Sequence, residues 1–215
     1  MKYKNILIIL FFFIFPNKSF GLIEVDITRG NLNPLPIAIS PLSSDSSTKN
    51  ELSKSLNVQD VGLEISKVIE NNFRQSGLFN PLDKDSFLQK PDIAHLKPRF
   101  EDWSLIKAQA LITGKVTYSE DKLRVEFRLW DVLAAKEMMA LAFTTVPKNW
   151  RRVGHIISDK VYERLTGEKG YFDTRIIYVS EEGPKTARIK KLAIMDQDGF
   201  NTKYLTLGNE LVLTP

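Results

Sequence analysis

Apolar residues recur along the chain with two spacings, one typical of helices and one typical of strands. The helical spacing predicts the following elements. Residues 58–73 place Val58, Val61, Ile65, Val68, Ile69 and Phe73 on one stripe, and Gly77 supplies a stop signal. A second helix is predicted over Trp150–Thr166, closed by Gly167. A short helix is expected over Glu101–Ala108. These stripes are interpreted as the faces that helices turn toward a core.

Alternation with a period of two predicts the strands. The predicted strands are Leu22–Thr28, Pro36–Leu42, Ala110–Tyr118, Leu123–Asp131 and Met138–Val146. The polar residues 119–122 predict a hairpin, Ser43–Lys54 is rich in polar residues and predicts a loop, and prolines at 81, 91 and 98 make residues 80–99 irregular. Residues 22–168 are therefore predicted to form an α/β (α+β) domain with a mixed sheet and two or three helices.

From Arg175 onward the predicted elements are short strands only. Short strands are predicted over Ile176–Val179, Ile189–Met195 and Thr202–Leu205, with a further one starting at Leu211–Leu213. Asp198-Gly199 between two of them is a tight-turn signal. Residues 175–215 are predicted to be an incomplete β-propeller blade, joined to the α/β domain by a link over residues 169–174.

The N-terminus has the pattern of a secretory signal peptide. Lys2 and Lys4 precede ten apolar residues, Ile6–Phe15, and Ser19 and Gly21 form a small-x-small cleavage site. Ten residues of helix span about 15 Å, half of a bilayer core, so a membrane anchor is the weaker interpretation. Export with cleavage after Gly21 is expected.

Composition narrows the classes of function. Without residues 1–21 the net charge falls from +4 to +1, which removes the support for a nucleic-acid-binding domain. The chain has no cysteine and only two histidines, so a thiolate zinc site and a histidine-rich metal site are not expected. Common nucleophile, zinc-protease and nucleotide-binding motifs are missing from the sequence, so no catalytic or cofactor-binding residues are predicted.

Two pairs of polar residues have separate interpretations. His155 and Asp159 lie four residues apart on the last helix and are interpreted as a surface pair. Asp196 and Asp198 resemble part of a calcium loop, but the positions that must be ligands are Ile194 and Leu205. The sequence therefore favours a turn there.

Two arginines begin the last predicted helix, where the macrodipole disfavours cations. Arg151 and Arg152 either meet an acidic partner, within the protein or across an interface, or are solvated, and solvation is the preferred interpretation.

Long segments of the chain resemble one known family. The runs LITGKVT, LRVEFRLWDV, KKLAIMDQDGFNTKYLT and residues 149–183 are similar to the TolB family of the Tol-Pal system. The resemblance covers residues 22–215 and implies an exported periplasmic protein with an α/β domain before a six-bladed propeller. The sequence ends within what resembles the first blade.

The resemblance also implies a function and partners. Members of the family are non-enzymatic scaffolds that link TolA to Pal, maintain outer-membrane integrity and assist outer-membrane constriction during division. The positions that match the TolA-binding residues of the family are Leu22, Ile23, Glu24, Val25, Asp26, Ile27, Thr28 and Arg29. An alternating strand can add to the edge of a partner's sheet, or it can complete the sheet of its own domain.

Other functions remain open at this stage. Propellers accompany some peptidases, so an accessory domain of a peptidase is one alternative, and a small nucleic-acid-binding α/β domain is another. Pal docks on the propeller in this family, and one partial blade does not form the mouth of a closed ring. Binding of Pal is therefore expected to be lost from residues 22–215.

Overall fold

The computed structural model describes residue 23 and residues 33–208, which form two sheets. The first is a mixed six-stranded sheet with helices, and the second is a three-stranded antiparallel sheet. The elements are β1 (Leu35–Ile39), β2 (Ser43–Ser44), α1 (Ser46–Leu56), α2 (Val61–Ser76), β3 (Phe79–Pro81), α3 (Pro91–Ala94), α4 (Phe100–Leu105), β4 (Ala110–Ser119), β5 (Lys122–Asp131), β6 (Lys136–Thr145), α5 (Trp150–Thr166), β7 (Arg175–Glu182), β8 (Ile189–Asp196) and β9 (Lys203–Tyr204). The predicted fold class is confirmed, with five α-helices among the described residues instead of two or three.

The large sheet has the strand order β3-β1-β4-β5-β6, with β2 also beside β4. β1 runs parallel to β3 and to β4, whereas β4, β5 and β6 form an antiparallel meander. The predicted hairpin is confirmed: Ser119 pairs with Lys122, and Glu120 and Asp121 between them have φ of 50° and 56°. Two consecutive residues with positive φ make a type I′ turn, whose twist matches that of the flanking strands.

The main core lies between one face of this sheet and the helices α2 and α5. The period-two residues Leu123, Val125, Phe127 and Leu129 are all buried, as predicted. They share the core with residues of the two helical stripes, among them Ile65, Ile69, Phe73, Val153, Ile157, Val161 and Leu165. Both helices end at the predicted glycines, since Gly77 and Gly167 adopt φ of 70° and 75°.

A smaller cluster covers one end of the opposite face. Trp103 of α4 and Ala94 of α3 pack there against Leu111. The indole of Trp103 donates to the Gln89 side chain, which also accepts a hydrogen bond from the backbone N–H of Arg99. The predicted irregular segment 80–99 thus includes the last residues of β3, a 3₁₀ turn at Lys84–Ser86 and α3.

The predicted loop at Ser43–Lys54 is wrong, because β2 and α1 occupy it. Asp45 caps α1 by accepting the backbone N–H of Thr48 at 2.8 Å. Only Thr48 and Leu52 are buried on this helix, so its apolar stripe is too thin to detect as a helical period. The Asp45 cap and the burial of Thr48 and Leu52 together hold this helix.

The second sheet confirms the strands predicted after Arg175. β7 pairs with β8 and β8 pairs with β9, all antiparallel, and Gly199 adopts φ of 86° in the predicted turn. The strand predicted to start at Leu211–Leu213, the signal segment, and all of the Leu22–Thr28 strand except Ile23 lie outside the described residues.

The segment predicted as a link is anchored to the α/β domain. Phe172 is 1% exposed and belongs to the main core. The carboxylate of Asp159 accepts the backbone N–H groups of Phe172, at 2.6 Å, and Asp173, at 3.2 Å. Gly170 permits this approach, because a Cβ at that position would lie 2.4 Å from the Asp159 Cα.

Candidate functional site

A polar cleft of about 680 Å³ lies between the start of α5 and the three-stranded sheet. Five basic residues and two aspartates face it: Lys148, Arg151, Arg152, Arg175 and Lys203, with Asp173 and Asp196. The start of α5 adds the positive end of a helix dipole on the same side. Basic residues therefore outnumber acidic ones along the cleft.

Both arginines that begin α5 have acidic partners within the chain. Arg151 donates to Asp198, 47 residues later, and the Asp198 side chain is 2% exposed. The Arg151 guanidinium also lies over the Phe200 ring, 3.6 Å from its centroid. Arg152 binds Asp173 through two N–H groups at 3.0 Å each, which raises the pKa of the arginine. The preferred interpretation of a solvated pair is wrong, and the alternative of an acidic partner within the protein is correct.

His155 lies directly behind this ion pair and is buried. Its Nδ1 is 3.1 Å from Asn72 Nδ2, and the same amide nitrogen donates to the Ser158 hydroxyl at 2.9 Å. Burial lowers the pKa of His155, although the nearby Asp198 opposes that effect. Burial thus favours the neutral form of the imidazole.

The predicted surface pair of His155 and Asp159 is wrong. His155 faces Asn72 of α2, and Asp159 binds the backbone of residues 172 and 173. Burial raises the pKa of Asp159, against the effect of those two hydrogen bonds. A spacing of four places two residues on one side of a helix. Here, however, neighbouring elements bury His155, and the backbone of residues 172 and 173 binds Asp159.

The turn at residues 196–200 closes the cleft from the side of the second sheet. Its Gln197 side chain donates to the Asn72 carbonyl oxygen at 2.9 Å, which joins the turn to α2. Ligand atoms of His155, Asp196 and Asp198 all lie within 4.8 Å of one another. The sequence indicated the turn correctly, but no local signal shows that it meets α2 and α5.

Family profiles match both parts of the chain. The profile described as TolB amino-terminal domain matches residues 23–138, which is more than half of the sequence. The chain belongs to the TolB family. The profile described as TolB beta propeller domain matches residues 162–215, which include the three-stranded sheet.

A close relative has the same family name. The Tol-Pal system protein TolB of Pelagibacter ubique (strain HTCC1062) is 80% identical over 204 residues, which cover 95% of this chain and 46% of the relative. The chain thus spans about half the length of the curated relative that it matches.

A solved structure of TolB has the same fold. The crystal structure of TolB from Acinetobacter baumannii superposes with a TM-score of 0.65 at 23% identity, over 86% of this chain and 41% of that one. The PelC dodecamer structure from Paraburkholderia phytofirmans gives a TM-score of 0.37 at 15% identity, over 66% of this chain and 96% of that one.

Of the residues predicted to bind TolA, only Ile23 is described. It is half-buried and packs against the main core. Leu22 and residues 24–29 lie outside the described residues, so their role stays a prediction. Among the described helices, none is long and apolar enough to cross a membrane.

Proposed function

We propose that this chain is part of a non-enzymatic scaffold of the Tol-Pal system in the periplasm, which as a whole links TolA to Pal, with the TolA contact on this chain. In that role it maintains outer-membrane integrity and assists outer-membrane constriction during cell division. The observation that carries the proposal is the family match over residues 23–138, together with 80% identity to a Tol-Pal system protein TolB.

The chemistry of the cleft supports a structural role over a catalytic one. Its most buried charged groups, Arg151 and Asp198, bind each other and hold the 196–200 turn against α5. Arg152 and Asp173 do the same for the segment before β7. Ion pairs of this kind position elements, and a catalytic group would instead face a bound substrate.

We propose that residues 22–29 form the TolA-binding segment. Ile23, Val25 and Ile27 alternate with polar residues, which suits addition of a strand to the edge of a partner's sheet through main-chain hydrogen bonds. The packing of Ile23 on the core supports a docked state of the same segment. Docking on its own domain and release to TolA would then be two states that a partner shifts.

The test is titration of soluble TolA into the chain with and without residues 22–30. The deletion should abolish binding and leave the far-UV circular dichroism of the domain unchanged. Val25→Pro should weaken binding because proline lacks the N–H that a strand ladder needs, and the matched control Val25→Thr should not. Unchanged affinity in the deletion would refute the assignment.

We assign the binding of Pal to the propeller and not to the α/β domain. The three strands of residues 175–208 provide one part of a ring, and a propeller mouth forms when the ring closes. For a polypeptide of residues 22–215 we expect no heat on calorimetric titration with micromolar soluble Pal. Micromolar or tighter binding would contradict the assignment of Pal to the closed propeller.

Export by a signal peptide cleaved after Gly21 completes the proposal. N-terminal sequencing of periplasmic material should begin at Leu22, and recovery of Met1 there would contradict it.

A further inference from the structure

The three groups that converge behind the cleft have the chemistry of a metal site. We propose that His155, Asp196 and Asp198 bind one divalent transition metal ion, of which Zn²⁺ is the best fit. The proposal concerns these residues alone and does not depend on binding of TolA or Pal. An imidazole nitrogen and two carboxylate oxygens form a ligand set that Zn²⁺ accepts.

The first observation is the unused nitrogen of His155. Its side chain is 3% exposed, and Nε2 has no hydrogen-bond partner among the described residues. A buried polar atom without a partner is rare, because it loses its hydrogen bond to water and gains none in return. This nitrogen is directed at Asp198.

The second observation is a distance. His155 Nε2 and Asp198 Oδ2 are 3.6 Å apart, which is too long for a hydrogen bond. Two ligands of a tetrahedral zinc with bonds of about 2.0–2.1 Å lie about 3.4 Å apart. The pair is therefore spaced as two ligands of one ion, and a carboxylate oxygen of Asp196 belongs to the same group of ligand atoms, which all lie within 4.8 Å of one another. That carboxylate would have to leave its contacts with Asn201 and Arg175 to reach the ion.

The site opens to the cleft, although basic side chains line the way in. The cleft borders both His155 and Asp196, which gives the ion a path from solvent. Asn72 orients the imidazole through Nδ1, and Gln197 orients Asn72 in turn, as outer-shell groups do around metal ligands. Binding through Nε2 needs the proton on Nδ1, which requires both amides to turn by half a rotation and the Ser158 hydroxyl to turn from the Gly154 carbonyl toward Asn72.

Arg151 is the competing cation. Its guanidinium binds the Asp198 oxygen that faces His155, so a metal ion enters in exchange for that contact. The arginine side chain is 17% exposed and lies over the Phe200 ring, so entry of an ion requires it to leave Asp198 and turn toward the cleft that it lines. This competition yields a distinctive expectation, since removing the arginine charge should strengthen metal binding.

The experiment is calorimetric titration of ZnCl₂ into the purified chain without a histidine tag. We expect one equivalent to bind with micromolar affinity, and His155→Ala and Asp196→Asn each to weaken it more than about 100-fold, beyond the effect usual for outer-shell groups. Arg151→Gln should tighten binding about tenfold, because it removes a cation next to the ion. His95→Ala is the matched control, since His95 is the only other histidine of the chain, and it should change nothing.

Thermal melting of each variant shows that it is folded before titration. If His155→Ala does not fold, the Asp196→Asn variant decides, because that side chain is 18% exposed and its replacement keeps the shape. Absence of Zn²⁺ binding in both the original chain and Arg151→Gln would overturn the proposal. Binding that survives Asp196→Asn, or that is lost equally in His95→Ala, would overturn it as well.

Discussion

The residue with the greatest influence on the cleft is Asp198. Its side chain is almost completely buried, accepts from Arg151 and lies 3.6 Å from His155, and it belongs to a turn whose Gly199 and Phe200 are exposed. An ion pair removed from water is a weak source of stability, but removal of one partner leaves the other buried and uncompensated. The turn is therefore expected to depend on this carboxylate.

Asp198→Asn should loosen the turn because it leaves the Arg151 charge without its carboxylate. We expect the free energy of local opening at residues 196–200 to fall by about 3 kcal/mol, as for other broken buried pairs. Native-state hydrogen exchange of the Asp196 and Gly199 amides measures it.

Asp173→Asn is the matched control for this change. It breaks the Arg152 pair, whose arginine side chain is 62% exposed, and a pair of that kind contributes about 0.2–1 kcal/mol. Equal effects of the two substitutions on exchange would show that burial of the Asp198 pair has no special role.

At the scale of elements, the β4–β5 hairpin shows where local geometry conflicts with residue type. Its turn requires positive φ at two positions, which Gly and Asn adopt more readily than Glu. The chain nevertheless has Glu120 and Asp121 there, and the Tyr118 hydroxyl donates to Asp121 at 2.9 Å. The strand pairing on both sides holds the turn in this conformation.

Glu120→Gly should stabilise the protein. A left-handed conformation costs a residue with a Cβ about 1–2 kcal/mol, and the greater freedom of glycine in the unfolded chain offsets about 0.5–1 kcal/mol of that. The free energy of unfolding in urea should rise by about 0.5–1 kcal/mol on this balance. The same change at the exposed helical residue Glu101 is the control and should lower it. A destabilised Glu120→Gly would mean that the turn carries no strain.

At the scale of the whole molecule, the segment before β7 belongs physically to the α/β domain. The Phe172 ring meets Phe73 of α2 and Tyr162 of α5, with ring centroids 6.1 Å and 5.8 Å away. An independent domain that extends only to residue 168, as the sequence pattern suggests, would expose the pocket that this ring fills.

A polypeptide of residues 22–174 should melt cooperatively, and at a higher temperature than residues 22–168. Loss of a buried phenylalanine side chain costs about 3–5 kcal/mol, and the shorter chain also leaves Asp159 without its two backbone donors. Paired thermal melts by circular dichroism measure the difference. Phe172→Ala in the longer polypeptide should reproduce most of it, whereas Tyr171→Ala, at a half-exposed ring, should not. Equal melting temperatures of the two lengths would contradict the assignment.

The sequence alone determined the regular parts of this protein. The meander β4–β5–β6, the long helices α2 and α5 with their glycine stops, and the turn at Asp198-Gly199 follow from periodicity and turn chemistry within a few residues. Such signals are local, because they depend only on residues that are close to one another in the sequence. Resemblance in the same segments indicated the TolB family.

Only the tertiary structure decided how the cleft is built. Arg151 and Asp198 are 47 residues apart, and His155 and Asn72 are 83 apart, so no local pattern pairs them. The helix α1, with two buried residues, and Phe172, inside a segment that reads as a link, were likewise decided by packing against distant elements. The sequence does not show whether a charged or aromatic side chain is solvated or buried. Its contacts with distant residues form only when the chain folds.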